Sequence, residues 1–128
     1  MRHQKNRLLE LGTGIKKRST FVRQLLTDLV KNGKLVTTPK RAKVLKSEAD
    51  SFFSKLLEID KKYKEPGDAK RECIRYVKSM IYGEDEGKKV INTWLPKYKE
   101  AKSQSFVADY KVWFRVWDAA PRIMLKLL

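Results

Sequence analysis

The sequence has very little cysteine and histidine, two residue types on which metal binding and covalent catalysis often depend. Among its 128 residues there is one cysteine, Cys73, and one histidine, His3. A single cysteine excludes an internal disulfide and a thiolate metal cage, and a single histidine excludes most metal and triad chemistry. We therefore expect no metal site, no cofactor and no enzymatic activity. Cys73 lies on an apolar helical stripe, and we expect it to be a small buried residue.

Long hydrophobic runs are also missing. No apolar run approaches the roughly 18 residues that a membrane span needs. The first charges of the chain are not followed by an apolar stretch of signal-peptide length. We therefore expect no membrane contact and a cytoplasmic location.

Negative charge is scarce as well. The chain holds 15 Asp and Glu against 30 Lys and Arg, which gives a formal net charge of +15. A small domain needs a charge magnitude of only about 2 to 8 to stay in solution. Apolar residues make up 41% of the chain, so one modest core can form. The excess charge predicts a polyanionic partner.

The positive charge is concentrated in the first third of the chain. Residues 1–41 hold 11 Lys and Arg against Glu10 and Asp28, and so carry nine of the 15 net charges. Residues 1–18 show neither a helical nor a strand period, which predicts a basic arm over 1–18 and a single compact body over 19–128. The arm residues that we expect to contact phosphate groups are Arg2, His3, Lys5, Arg7, Lys16, Lys17 and Arg18.

The spacing of apolar residues predicts the elements of the body. Helical periods cover about 19–32 and 39–62, and a third helix is expected to start with Asp68 as its cap. A fourth, short helix carries Val90, Ile91, Trp94 and Leu95. A four-residue strand at 35–38 and a hairpin near the C-terminus complete the set. The prediction is an α+β fold, in which a small three-stranded sheet packs against about four helices beside an extended basic N-terminal arm.

The hairpin is predicted to begin with a strand that has two different faces. Residues 110–117 alternate, so Tyr110, Val112, Phe114 and Val116 are expected in the core. The opposite face would carry Lys111, Trp113, Arg115 and Trp117. Such a face could stack nucleic-acid bases. Equally, the tryptophans could pack under a helix or against a neighbouring protein.

A second candidate site lies where the first strand meets the second helix. Thr37, Thr38, Lys40 and Arg41 combine hydroxyl groups, cations and the N-terminal amides of a helix, which together suit a phosphate group. Arg23 in the first helix and Lys43 in the second complete the candidate binding set. Binding of nucleic acid could then belong to an RNA-binding protein or to a DNA-binding helical regulator or nucleoid-type protein.

Several short motifs, in the same order and over nearly the whole chain, resemble those of the bacterial-type large-subunit ribosomal protein seventeen family. The matching segments are Met1-Arg2-His3, Leu11-Gly12, Lys17-Arg18, Val36-Thr37-Thr38, Arg41-Ala42-Lys43 and Asp118-Ala119-Ala120-Pro121. The sequence departs from the family pattern at Thr13, at Lys17, at Ala108-Asp109-Tyr110-Lys111-Val112 and at Val116-Trp117. Trp113 and Trp117 suggest a contact that typical members lack.

The resemblance implies a structural constituent of the large ribosomal subunit. Such a protein would bind large-subunit ribosomal RNA, support its folding and assembly, and contact neighbouring large-subunit ribosomal proteins. It would be located in the cytoplasmic ribosome and would be a monomer when free.

Overall fold

A computed structural model describes residues 16–100 and 105–128 of the chain. The elements in chain order are α1 (Arg18–Asn32), β1 (Lys34–Thr37), α2 (Pro39–Lys62), α3 (Pro66–Met80), α4 (Glu84–Lys89), a π-helical turn (Val90–Trp94), α5 (Leu95–Lys99), β2 (Val107–Val112) and β3 (Arg122–Leu127). This confirms the predicted α+β fold with a three-stranded sheet. Most of the predicted arm lies outside the described residues. No helix in the two described ranges is long and apolar enough to cross a bilayer.

The three strands form one antiparallel sheet in the order β1-β3-β2. Thr37 in β1 and Lys111 in β2 both pair with Ile123 in β3, one on each side. The last residues of β1, the first residues of β3 and the last residues of β2 therefore lie at the same end of the sheet. We call this the Ile123 end.

The core lies between one face of the sheet and the helices. Leu125 and Leu127 of β3 are buried there together with Leu26, Leu45, Phe52, Phe53 and Leu56 of the first two helices. Burying each such side chain contributes about 1.5–3 kcal/mol relative to exposure. The ring of Phe53 packs edge-on against that of Tyr98, with the ring centroids 4.9 Å apart.

Cys73 is buried in this core, as predicted. Its Sγ lies 3.9 Å from the carbonyl oxygen of Leu56. Burial raises the pKa of the Cys73 thiol above its ordinary value, because the charged thiolate is poorly solvated there. The residue is therefore a packing element whose thiol stays protonated at neutral pH.

The turn from α1 to β1 depends on Gly33. This residue has φ 74° and ends the helix in the left-handed conformation, which glycine adopts without a steric cost. Its N–H donates to the carbonyl oxygen of Leu29 at 2.8 Å, and its own carbonyl accepts from the N–H of Leu127 at 2.9 Å. Gly33 thus reverses the chain and joins the first helix to the last strand.

The third helix starts earlier than the sequence predicts. It begins at Pro66, with Glu65 as the N-cap, so Asp68 lies inside the first turn and is not the cap. Proline fits the first helical position because its fixed φ suits the helix and its missing N–H is not needed there. The predicted fourth helix is confirmed, and it forms part of the continuous helical stretch from α4 to α5.

The predicted bounds of the strand over residues 110–117 are wrong, and only residues 110–112 of that range lie in a strand. The strand begins at Val107 and ends at Val112, and residues 113–121 form the hairpin loop. Strand pairing stops there because Arg122, the partner of Val112, follows Pro121, which has no N–H to donate. Tyr110, Val112, Phe114 and Val116 are therefore not core residues: Tyr110 faces away from the helices opposite Met124, and Val116 is 98% exposed.

Candidate nucleic-acid interface

The N-terminal turns of α1 and α2 lie side by side. Val22 of α1 and Val44 of α2 are buried in one small cluster with Phe21 beside them. The guanidinium of Arg41 lies 4.9 Å from the centroid of the Phe21 ring, within range of a cation–π contact. Two basic segments that are separate in the sequence are thereby brought together: Lys16, Lys17 and Arg18 at the start of α1, and Lys40, Arg41 and Lys43 at the start of α2.

These cations have no acidic partners nearby in the chain. Neither α1 nor α2 has an acidic residue in its first turn. From Lys16 to Lys46 the only carboxylate is that of Asp28. The ion pairs found among the described residues involve none of the six cations. Because helix N-termini carry partial positive charge, this region attracts an anion more strongly than its side chains alone would.

The corner between β1 and α2 offers hydrogen-bond donors as well as charge. Thr38 is the N-cap of α2, and its carbonyl oxygen accepts from the N–H of Ala42 at 2.9 Å. Its hydroxyl makes no capping hydrogen bond to the helix. The hydroxyl and the first amides of α2 can therefore donate to a phosphate oxygen. Thr37 is half-buried at the end of β1.

The sheet places Lys111 at the same end of the molecule. Lys111 and Thr37 flank Ile123 in one cross-strand row, about 10 Å apart if each strand spacing is about 4.8 Å. Nearby, the Lys46 ammonium lies 3.0 Å from the Asp109 carboxylate and lowers its pKa through a hydrogen bond and charge attraction. Lys111 follows Asp109 by two residues, toward the end of β2. Lys43 precedes Lys46 by about one helical turn, toward the start of α2.

We call this group of seven cations the basic end. It consists of Lys16, Lys17, Arg18, Lys40, Arg41, Lys43 and Lys111. All of them are exposed except Arg18, which is half-buried. A phosphate backbone lying across this end would meet cations from two helices and a strand.

Arg23 does not belong to this group. Its guanidinium lies 4.1 Å from the centroid of the Tyr82 ring, and one of its terminal nitrogens donates to the carbonyl oxygen of Lys78 at 3.4 Å. The residue is half-buried and joins α1 to the end of α3. The contacts of the Arg23 guanidinium are therefore made within the fold.

Trp113 and Arg115 lie in the hairpin loop and not on a strand. Trp113 is 85% exposed. Arg115 forms two hydrogen bonds with the Asp118 carboxylate, at 3.1 and 2.7 Å, so its charge is compensated inside the loop. Arg2, His3, Lys5 and Arg7 lie outside the described residues.

Sequence reasoning missed the outer face of the sheet as a candidate surface. Lys34 and Lys126 are exposed neighbours on adjacent strands, and Val36 and Tyr110 flank Met124 in the next row. Like charges at directly opposite positions destabilise a sheet unless an anion lies between them. The sequence does contain a pattern that indicates this face: Arg122, Met124 and Lys126 alternate with apolar residues. An antiparallel sheet commonly buries only one face, so such alternation predicts that these three side chains lie on the exposed one.

Together, these features define a small α+β protein with a strongly basic end and a basic sheet face, an arrangement suited to a nucleic-acid backbone. The family model for ribosomal protein L17 matches residues 21–128. The large ribosomal subunit protein bL17 of Desulforamulus reducens is 35% identical over 113 residues, which cover 87% of this chain and 89% of that protein. The bL17 of Desulforudis audaxviator is 31% identical and covers 92% of this chain and 96% of its own length. The chain belongs to the ribosomal protein L17 family.

Proposed function

We propose that the basic end binds the phosphate backbone of large-subunit ribosomal RNA. The observation that carries this proposal is the meeting of three separate basic segments at the Ile123 end, without acidic partners among the described residues. Contacts at several phosphate groups would fix the orientation of the protein on the RNA, while the RNA sequence would be of little importance.

Family membership makes this chain a structural protein of the large ribosomal subunit in the cytoplasmic ribosome. Proteins of this family are in general structural and not enzymatic. We extend this to the chain itself and propose that it has no catalytic role, that it is a monomer when free and that neighbouring large-subunit proteins contact it. The family match favours this function over a DNA-binding regulator, the alternative that charge alone left open.

We also assign RNA contacts to the arm, residues 1–18, and to the outer face of the sheet. The arm adds Arg2, His3, Lys5 and Arg7 to the cations at the start of α1. On the sheet, Lys34 and Lys126 would hold a phosphate group, and the half-exposed ring of Tyr110 could stack on a base. Of the three proposed RNA contacts, the basic end has the strongest structural support, because the packing of α1 on α2 sets the position of most of its cations.

The proposal can be tested through the salt dependence of binding. The full chain is titrated onto protein-free large-subunit ribosomal RNA at several salt concentrations. Each cation that contacts a phosphate adds about one unit to the slope of log affinity against log salt. The triple variant Lys40→Gln, Arg41→Gln, Lys43→Gln is expected to lower that slope by about 2 to 3 and to weaken binding at every salt concentration.

The matched control removes the same charge at the other end of α2. Lys61, Lys62 and Lys64 are exposed, and their replacement by Gln also removes three positive charges. This control variant is expected to keep nearly the full slope. Equal losses in both triple variants would show that binding depends on net charge alone, and the basic end would not be the interface.

A further inference from the structure

The loop that joins β2 to β3 exposes several large apolar side chains. Trp113, Phe114, Val116 and Trp117 lie within five consecutive residues and are 85%, 62%, 98% and 79% exposed. Large exposed apolar side chains grouped in this way usually mark an interaction site. The loop therefore has a surface that the fold itself does not use.

The loop is held in one conformation by its own hydrogen bonds. The N–H of Arg115 donates to the carbonyl oxygen of Ala120 at 2.9 Å, and the N–H of Ala119 donates to the carbonyl oxygen of Arg115 at 2.9 Å. Asp118 accepts from both the Arg115 guanidinium and the N–H of Ala120. At the base of the loop, the Arg122 side chain donates to the carbonyl oxygen of Trp113 at 3.1 Å. A partner would therefore meet a preorganised surface and lose little conformational entropy in ordering it.

The charge of the loop distinguishes it from the rest of the molecule. Arg115 and Asp118 are the only charged residues among residues 113–121, and they form an ion pair at 2.7 Å. The loop is thus neutral in a chain whose net charge is +15. Lys111 and Arg122 flank the loop, but the loop itself offers a phosphate group no uncompensated charge. The centre of a protein interface is likewise poor in charge, and it is rich in tryptophan and phenylalanine.

The types of side chain in the loop also favour a protein partner over RNA. Val116 is the most exposed of the four and has no aromatic face on which a base could stack. A surface that combines aliphatic and aromatic side chains complements an apolar protein groove better than it complements a row of bases. We propose that the loop 113–121 docks into an apolar groove of a neighbouring protein in the large subunit. The inference rests on the large-subunit location but does not depend on RNA contact by the basic end.

The test compares two binding measurements for one variant. The triple variant Trp113→Ser, Val116→Ser, Trp117→Ser removes the three most exposed of the four apolar side chains. It keeps Arg115 and Asp118, so the hydrogen bonds of the loop remain. Its retention on native large subunits is expected to fall by about tenfold or more, as for the loss of buried interface anchors. Its affinity for protein-free large-subunit ribosomal RNA is expected to stay unchanged. Leu128→Ser, which alters a half-exposed apolar residue elsewhere, is the control and should change neither value.

Two other outcomes would contradict this proposal, and a third would contradict the proposed function of the basic end. An equal loss of affinity for protein-free RNA would identify the loop as a base-stacking site. Unchanged retention on subunits would show that the loop has no partner there. Failure of the unaltered chain to bind RNA would instead count against the function of the basic end. To identify the groove, a photo-crosslinking amino acid at position 117 should link to apolar residues of one ribosomal protein, and the same group at position 61 should not.

Discussion

At the start of α2, the cations Lys40 and Arg41 lie where the helix dipole favours negative charge. Such a placement costs some stability in the free protein. The residue that could relieve it, a carboxylate in the first turn, is absent from both α1 and α2. A bound phosphate group would supply the missing negative charge. The same residues that weaken the free helix are therefore the ones that we assign to RNA binding.

Lys40 is thus expected to weaken the free protein while it strengthens RNA binding, and one substitution can measure both effects. Lys40→Glu is expected to raise the free energy of unfolding of the free protein by about 0.3–1 kcal/mol at low ionic strength, because a carboxylate near the helix N-terminus is favourable. The same substitution should weaken binding to ribosomal RNA. Chemical denaturation and RNA titration measure the two effects.

The control for Lys40→Glu is Lys61→Glu at the other end of the same helix. Lys61 lies in the last turn of α2, where the dipole favours a cation. Its replacement by Glu should lower the free energy of unfolding and leave RNA binding nearly intact. If Lys40→Glu also lowered stability, the argument from the helix dipole would be wrong.

Individual contacts were predictable from the sequence only where they are local. Thr38, Lys40 and Arg41 could be placed at a helix start because capping signals involve consecutive residues. The engagement of Arg23 with Tyr82 was not predictable, because 58 intervening residues separate them and only the packed helices bring them together. The compensation of Arg115 by Asp118 was missed because the loop was interpreted as a strand.

The helices were easier to predict from the sequence than the hairpin. The apolar periods of α1 and α2 extend over several turns, and each ends or starts at a glycine or proline signal. The hairpin strand was misplaced because Phe106 and Val107 are adjacent and both buried, which breaks the two-residue alternation. The apolar residues after Val112 then mimicked a strand, although they belong to an exposed loop.

The role of Gly33 in the turn between α1 and β1 can be tested by one substitution. Gly33→Ala is expected to lower the free energy of unfolding by about 1–2 kcal/mol, because a Cβ in the left-handed region clashes with the backbone. The added atom would lie 3.6 Å from the Trp94 ring, an ordinary contact, so the cost comes from the backbone conformation. Denaturant unfolding measures the change.

Gly67→Ala is the matched control for that turn. Gly67 lies in the first turn of α3, and a Cβ there would meet nothing within 4 Å. The substitution should raise the free energy of unfolding by about 0.4–1 kcal/mol, because it restricts the unfolded chain. Equal effects of the two substitutions would contradict the role of Gly33 as the turn residue.

For the whole molecule, the packing of α1 on α2 and the order of the strands together decide where the charges meet. Basic segments are evident in the sequence near residues 16–18, near 40–43 and at Lys111, but no local pattern relates their positions in space. The order β1-β3-β2 brings the ends of β1 and β2 to the two sides of Ile123. The α1–α2 contact brings the first two basic segments together, and the strand pairing adds Lys111. Both are long-range contacts that no local sequence pattern predicts.

Lysine modification in native large subunits can show whether the basic end faces ribosomal RNA. An amine-reactive reagent is applied to the free protein and to intact subunits, and the modified residues are identified by mass spectrometry. Lys40, Lys43 and Lys111 are predicted to react far more slowly in the subunit, while Lys61, Lys62 and Lys64 keep more of their reactivity. Free reaction of the first three lysines in the subunit, with protection of the last three, would show that the basic end does not face ribosomal RNA.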